Sequence, residues 1–230
     1  PEAKNAFDET MIAELAEAFS RVRAEDPFRV VALSGEGGTL CAGGDLGWMQ
    51  RAAGWSKDEN QEDALRLFRM LLAVRDCPKP VVAFVQGYAL GGGSGLAAAC
   101  DRVVAEATAT FGFTEVRLGI IPGAISPFVV EKIGAGHARD LFTSGRRFTA
   151  EEALRIGLVH EVGSDFDAVL KDYLACAPGA VVEAKRLAFD VASDLSRKEI
   201  LPVGAMVARR IAAKRTDAEA KEGFAAFFAK

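Results

Sequence analysis

The residues that point to chemistry in this chain are mostly bare backbone. In "GYALGGGSGLAAACD" (87–101) three adjacent glycines, Gly91, Gly92 and Gly93, stand between an apolar run and an alanine-rich segment, and Gly95 follows closely. A second glycine-rich loop, "GEGGTLCAGGDL" (35–46), lies upstream. A dinucleotide-binding turn needs G-x-G-x-x-G, but Leu96 stands where the third glycine belongs. A phosphate-binding G-K-[ST] is absent. "GGSGL" (92–96) fails the G-x-S-x-G of a nucleophile elbow at Leu96, and only His137 and His160 could complete a triad. Two uses of the glycines remain. They can turn a strand tightly into a helix. Alternatively, two such loops at one sheet edge can aim backbone N–H groups at a shared point, which is the design of an oxyanion hole. A helix starting near Gly93 would point its positive end the same way. Glu115, in "FGFTEVRLGIIPG" (111–123), is the candidate acid/base. Its apolar neighbours Phe111, Phe113, Leu118 and Ile120 would raise its pKa, whereas a surface salt bridge with Arg117 is the alternative.

These groups need elements to hold them. Asn5 and Asp8 are N-cap candidates for a helix with apolar positions Met11, Ile12, Leu15, Ala18, Phe19 and Val22. "RVVALSG" (29–35) reads as a β-branched strand running into the first glycine loop. Residues 59–75 read as a second helix through Leu65, Phe68, Leu72 and Val74. "PVVAFVQG" (80–87) reads as a second strand running into the second loop and then a helix. The V-V-A echo, about fifty residues apart, predicts two βα units of a buried parallel sheet. Parallel neighbours would bring both loops to one edge. "DRVVAEATATFGF" (101–113) reads as a third strand, "TEVRLGIIPGAISP" as irregular, and "AEEALRIGLVHEV" (150–162) as helix, glycine stop and strand. From 165 onward the chain reads as charged helices broken at Pro178 and Pro202, with an apolar end "FAAFFAK" as a candidate oligomer face.

At 230 residues, with half of them hydrophobic and a net charge of −4, the chain fits one soluble globular domain with at most a small appendage. The acidic balance argues against nucleic-acid binding. No apolar run is long enough to span a bilayer, and no polybasic patch or signal peptide is visible. Cys41, Cys77, Cys100 and Cys176 lack metal-ligand spacing and read as core residues of a reducing compartment, hence a cytoplasmic protein without a metal.

Four ordered blocks, "CAGGDL" (41–46), "PKPVVAFVQGYALGGGSGLAAACD" (78–101), "FGFTEVRLGIIPG" (111–123) and "EALRIGLVHEV" (152–162), resemble the signature of the enoyl-CoA hydratase/isomerase, or crotonase, family. The resemblance implies an α/β ββα spiral over residues 1–165 and a helical trimerisation region over 166–230. The strand hairpin that precedes "PEAKNAF"-like segments in the family is absent from this chain. It also implies an acyl-CoA thioester substrate, no metal or redox cofactor, and a homotrimer or homohexamer. By position, the oxyanion donors would be the N–H groups of Gly44 and Gly92. Ala42, Gly43, Asp45 and Leu46 would lie along the CoA moiety, with bracing of the turn as the other role for Asp45. Trp48 and Met49 would line the acyl pocket or pack in the core, and Ser126 and Pro127 would alter its floor.

Two-carboxylate hydratases of the family place one glutamate at the position of Gly95 and another at that of Glu115. Here only Glu115 is present, and the resemblance makes it the catalytic acid/base. "GGDLGWMQ" (43–50) and residues 111–130 look most like the branch acting on methylglutaconyl-CoA and related branched, carboxylated enoyl thioesters. Hydratase therefore ranks first, Δ3,Δ2-enoyl-CoA isomerase second, and a catalytically degenerate acyl-CoA-binding protein third. Arg51 or Arg117 could meet a substrate carboxylate. His137 and His160 read as a helix-start and a strand residue. Phe227, Phe228 and Lys230 sit where family C-termini approach CoA or a neighbouring subunit.

Overall fold

The computed structural model describes residues 2–191, 205, 208–209, 211–213, 215–216 and 218–229. Lys230 and the Pro202 break lie outside the described residues. Helix α1 (Glu9–Ser20) begins where Asp8 accepts from the Met11 N–H at 2.8 Å, a direct N-cap. Asn5 has a different task. Its side-chain N–H donates to the Thr39 carbonyl at 2.7 Å and to that of Glu36 at 2.9 Å, tying the chain start to the first glycine loop.

The main sheet is parallel, with strands β1 (Val31–Leu33), β2 (Val81–Val85), β4 (Arg102–Ala105) and β7 (Glu161–Val162) in the order β1-β2-β4-β7. Val31 stands opposite Val81 and Leu33 opposite Ala83, so the two V-V-A segments are direct neighbours. In the central strand β2, Val81, Val82, Ala83 and Val85 are fully enclosed, whereas the edge strand β1 is only half-buried, with Ala32 exposed. Between β1 and β2 lie α2 (Leu46–Ala52) and α3 (Lys57–Arg75). A capping box, Ser56 with Glu59, starts α3.

The second glycine loop does not leave β2 directly. Gly87, at φ +58°, turns the chain into β3 (Tyr88–Leu90), which belongs to a second sheet ordered β3-β5-β6 with β5 (Thr110–Gly112) and β6 (Arg147–Thr149). Only glycine fits that turn, because a Cβ there would sit 2.3 Å from the Gly38 carbonyl oxygen. The single strand read over 101–113 is likewise two strands in two sheets, separated by a turn in which the Ala109 N–H bonds the Glu106 carbonyl. Over 103–113 a period-2 apolar pattern continues through the change of sheet, so the pattern alone does not show the break.

Helix α4 (Gly92–Ala99) follows the glycines, and α5 (Ser126–Ser144) follows the segment read as irregular. Pro127 lies in the first turn of α5, where a missing N–H costs nothing. A left-handed Gly134 (φ +75°) kinks α5, and His137 lies exposed just after that kink. Helix α6 (Ala150–Arg155), a positive-φ Gly157 and β7 reproduce the helix–stop–strand reading. Helices α7 (Phe166–Leu174), α8 (Pro178–Val191) and α9 (Ala218–Phe228) complete the described chain. The core runs from α1 and α3 through both sheets to α4, α5 and α6.

Candidate active site

Between the two glycine loops, α2, α5 and the C-terminal helices lies a cavity of about 720 Å³. Its geometry starts with how the loops are joined. Cys41 and Ala89 form a parallel bridge, in which the Cys41 N–H bonds the Tyr88 carbonyl at 3.0 Å and the Leu90 N–H bonds the Cys41 carbonyl at 3.1 Å. The loops then run so close that a Cβ on Gly93 would lie 2.5 Å from the Cys41 carbonyl oxygen. Gly93 is therefore a contact glycine, and its neighbour Gly92 opens α4.

Phe7 completes the clamp. Its N–H bonds the Gly43 carbonyl at 2.7 Å and its carbonyl accepts from the Asp45 N–H at 2.8 Å, a parallel bridge centred on Gly44. In such a bridge the central residue's own N–H points away from the partner strand. The Phe7 ring meanwhile lies against Gly92, where a Cβ would come within 2.8 Å of it. The Gly92 N–H has no acceptor within its helix, because it belongs to the first turn. Gly44 and Gly92 both line the cavity, as do Ala42, Gly43 and Leu46. Asp45 does not. Its carboxylate accepts from the Trp48 N–H at 2.9 Å and caps α2, bracing the turn.

Glu115 also lines the cavity, in the single 3₁₀ turn Glu115–Leu118 that follows β5. Its Oε1 faces the backbone of Gly91; a Cβ there would be only 3.1 Å away. Its Oε2 is buried without a hydrogen-bond partner. Burial pushes the carboxyl from 4.5 up to about 7, against the weaker downward pull of its own backbone N–H and of the Arg215 charge. A carboxyl held near neutrality, with one oxygen uncommitted, can both accept and return a proton. Arg117 makes no salt bridge to it; the Arg117 Nε–H donates to the Gly145 carbonyl at 2.6 Å.

Gly95 has a steric reason to be glycine. A Cβ there would lie 2.3 Å from Cγ2 and 2.6 Å from Cβ of Ile125. The Ile125 side chain fills the space a larger residue at 95 would need. Ser94 is committed too: its buried Oγ–H donates to the Ala89 carbonyl at 2.5 Å, and the oxygen accepts from the Gly112 N–H at 3.3 Å.

Trp48 and Met49 line the cavity, and Trp48 is also part of the core. Behind Trp48, its indole N–H donates to Asp63 Oδ1 at 3.2 Å, while Arg215 pairs with Asp63 Oδ2 at 3.1 Å. Arg215, Phe7 and Ile125 were not singled out in the sequence. Phe7 directly precedes a recognisable cap, but nothing in the spacing marks Arg215 or Ile125. Arg51 pairs with Glu9 on the surface, and His160 Nδ1 accepts from the Val103 N–H at 3.0 Å. Three of the four free cysteines are buried, and Cys176 is exposed. Ser126 and Pro127 start α5 without lining the cavity, whose floor here is Gly123, Ala124 and Ile125. The apolar chain end is partly consumed by the site wall: Phe224 is buried with Ile120, and Phe228 packs on the same cluster. The side chain of Phe227 lies outside the described residues. Among the described residues, no group of three or more acidic, His or Cys side chains is placed to hold a metal, and no helix is long and apolar enough to cross a membrane.

The model of the family described as enoyl-CoA hydratase/isomerase matches residues 1–230. A Thermus thermophilus protein named as a candidate enoyl-CoA hydratase is 35% identical over 245 aligned residues, which cover all of this chain and 92% of that protein. The crystal structure of an enoyl-CoA hydratase from Shewanella pealeana superposes with a TM-score of 0.79 at 32% identity, covering 99% of this chain and 86% of that one. That of an enoyl-CoA hydratase from Bacillus halodurans gives 0.86 at 27% identity, covering 98% and 92%.

Proposed function

Since the chain belongs to the enoyl-CoA hydratase/isomerase family and has its crotonase-like α/β fold, we propose that it hydrates an enoyl-CoA thioester with Glu115 as its acid/base. The observation that carries this reading is the Glu115 carboxyl, buried, raised to about 7 and set against the backbone of Gly91. In this reading the thioester oxygen sits between the N–H groups of Gly44 and Gly92, which bind it more tightly as it becomes an enolate oxygen. Glu115 takes a proton from water as the water oxygen bonds C3, and returns it to C2 as the enolate collapses. Water is added across the double bond, and the carboxylate is regenerated. The CoA moiety runs past Ala42, Gly43 and Leu46, with Asp45 bracing the turn that carries them. Leu46, an apolar residue at the cavity wall that is 54% exposed, fits such a contact. The acyl class is a branched or carboxylated enoyl thioester, with 3-methylglutaconyl-CoA as the test substrate. The setting is cytoplasmic.

One observation favours a second reading. Ile125 fills the space beside Gly95, leaving Glu115 as the carboxylate of the site. One carboxylate suffices for an isomerase, which moves a proton from C2 to C4 of a 3-enoyl thioester. The ultraviolet absorbance of the conjugated thioester separates the two. Loss with crotonyl-CoA or 3-methylglutaconyl-CoA, abolished in Glu115→Gln, is the result expected of the hydratase. Gain with a 3-enoyl-CoA alone identifies the isomerase. Binding of both thioesters without either change overturns catalysis and leaves an acyl-CoA-binding protein.

A further inference from the structure

Arg215 is 8% exposed, yet it lines the cavity that holds Glu115. Burying a guanidinium is costly unless its donors are engaged. One is: Nη1 donates to Asp63 Oδ2 at 3.1 Å. Asp63, 2% exposed, spends its other oxygen on the Trp48 indole N–H, so its orientation is fixed from both sides. The Trp48 ring lies beneath the guanidinium, with Cζ 5.5 Å from its centroid. The Arg215 Nε is buried and has no partner at all. An arginine held by an ion pair and an aromatic face, with a buried donor unused at a cavity wall, is a site prepared for an acceptor.

We infer that Arg215 is a specificity residue of the cavity, reading a carboxylate at the far end of the acyl chain of a CoA thioester. This rests on the reading of the cavity as an acyl-CoA site. A carboxylate suits the vacancy better than a neutral acceptor, because a planar anion can take two donors of one guanidinium fork. The other arginines of the cavity wall are otherwise used: Arg117 bonds the Gly145 carbonyl, and Arg147 lies over the Tyr88 ring. Arg215 and Glu115 line the same cavity, so a thioester placed at Glu115 and a carboxylate read by Arg215 would belong to one bound acyl chain.

Binding tests this without turnover. Glutaryl-CoA and valeryl-CoA have acyl chains of equal length, one ending in a carboxylate and the other in a methyl group. Calorimetry on the wild type should show glutaryl-CoA bound about 10- to 100-fold more tightly, the range for hydrogen bonds to charged groups. In Asp63→Asn/Arg215→Met, which leaves no orphaned charge, that ratio should fall to about one. In Arg215→Lys, which keeps the charge and loses the fork, it should be intermediate. Equal or tighter valeryl-CoA binding by the wild type overturns the inference, and so does a ratio that survives in the double variant. If the double variant fails to fold, an unchanged ratio in Arg215→Lys overturns it. Saturated thioesters cannot be hydrated, so failure of the hydratase reading would leave this measurement intact. Failure of both thioesters to bind would overturn the acyl-CoA site itself.

Discussion

In the proposed reaction Glu115 ties catalysis and stability to the same proton. Its carboxyl titrates near 7 in the folded chain and near 4.5 when exposed. A folded-state value above the unfolded one means that the folded chain holds the proton longer, so stability is highest below about 4.5 and declines as pH rises towards 7. The ionised, working form is therefore the less stable one, by up to about 3 kcal/mol. Glu115→Gln should raise Tm at pH 8 and leave it nearly unchanged at pH 4.5, as thermal unfolding at the two pH values would show. Activity runs in the opposite direction. Water activation needs the carboxylate, so kcat/KM for the 2-enoyl substrate should rise with pH and level off above an acid limb centred near 7. A flat profile from pH 5 to 8 would remove Glu115 as the base.

Among the elements, the pairing of α4 with α5 shows why one carboxylate is present where the family resemblance leads one to look for two. The constraint at Gly95 comes from the side chain of Ile125, at the start of α5. Gly95→Ala should destabilise by about 1–3 kcal/mol through overpacking, and Ile125→Ala by about 2–4 kcal/mol through the cavity it leaves. The double substitution should cost less than their sum, because each relieves the other; urea unfolding of all four forms measures the coupling. Strict additivity would mean that the two side chains do not share this space. The same comparison shows what the sequence could reveal. The V-V-A strands, the cap of α1, the body of α3 and the facing glycine loops follow from local patterns and were legible, whereas the Ser56 cap of α3 was not. The switch of sheet at Gly87 and the split of residues 101–113 depend on how close another loop passes, which no local period encodes. Helix α5 has no reading of its own in the sequence: the stretch that reads as irregular ends at Pro127, which looks like a breaker, though the helix takes it up in its first turn. Glu115 and the glycine loops were legible from their residue types. Ile125 and Arg215 were not, because each acquires its role only from a neighbour distant in sequence.

Across the whole molecule, apolar surface remains where the C-terminal helices meet solvent. Leu174 on α7 and Leu187 on α8 are exposed, Leu187 by 61%. On the family resemblance, a trimer or a pair of trimers is the assembly we propose. Light scattering coupled to size exclusion should return three or six times the chain mass of 24.4 kDa, and a monomer at micromolar concentration would refute it. The helices also act within the chain. The turn bearing Glu115 is walled by Phe224 of α9, and Gly223 lies so close that a Cβ there would be 2.6 Å from the Leu118 carbonyl oxygen. Arg215 closes another part of the same cavity, and Phe7 clamps it from the opposite end of the sequence. A ribosome that has released the glycine loops and Glu115 has thus not yet released a finished pocket. The nascent chain gains its pocket only when the residues up to Phe224 have emerged.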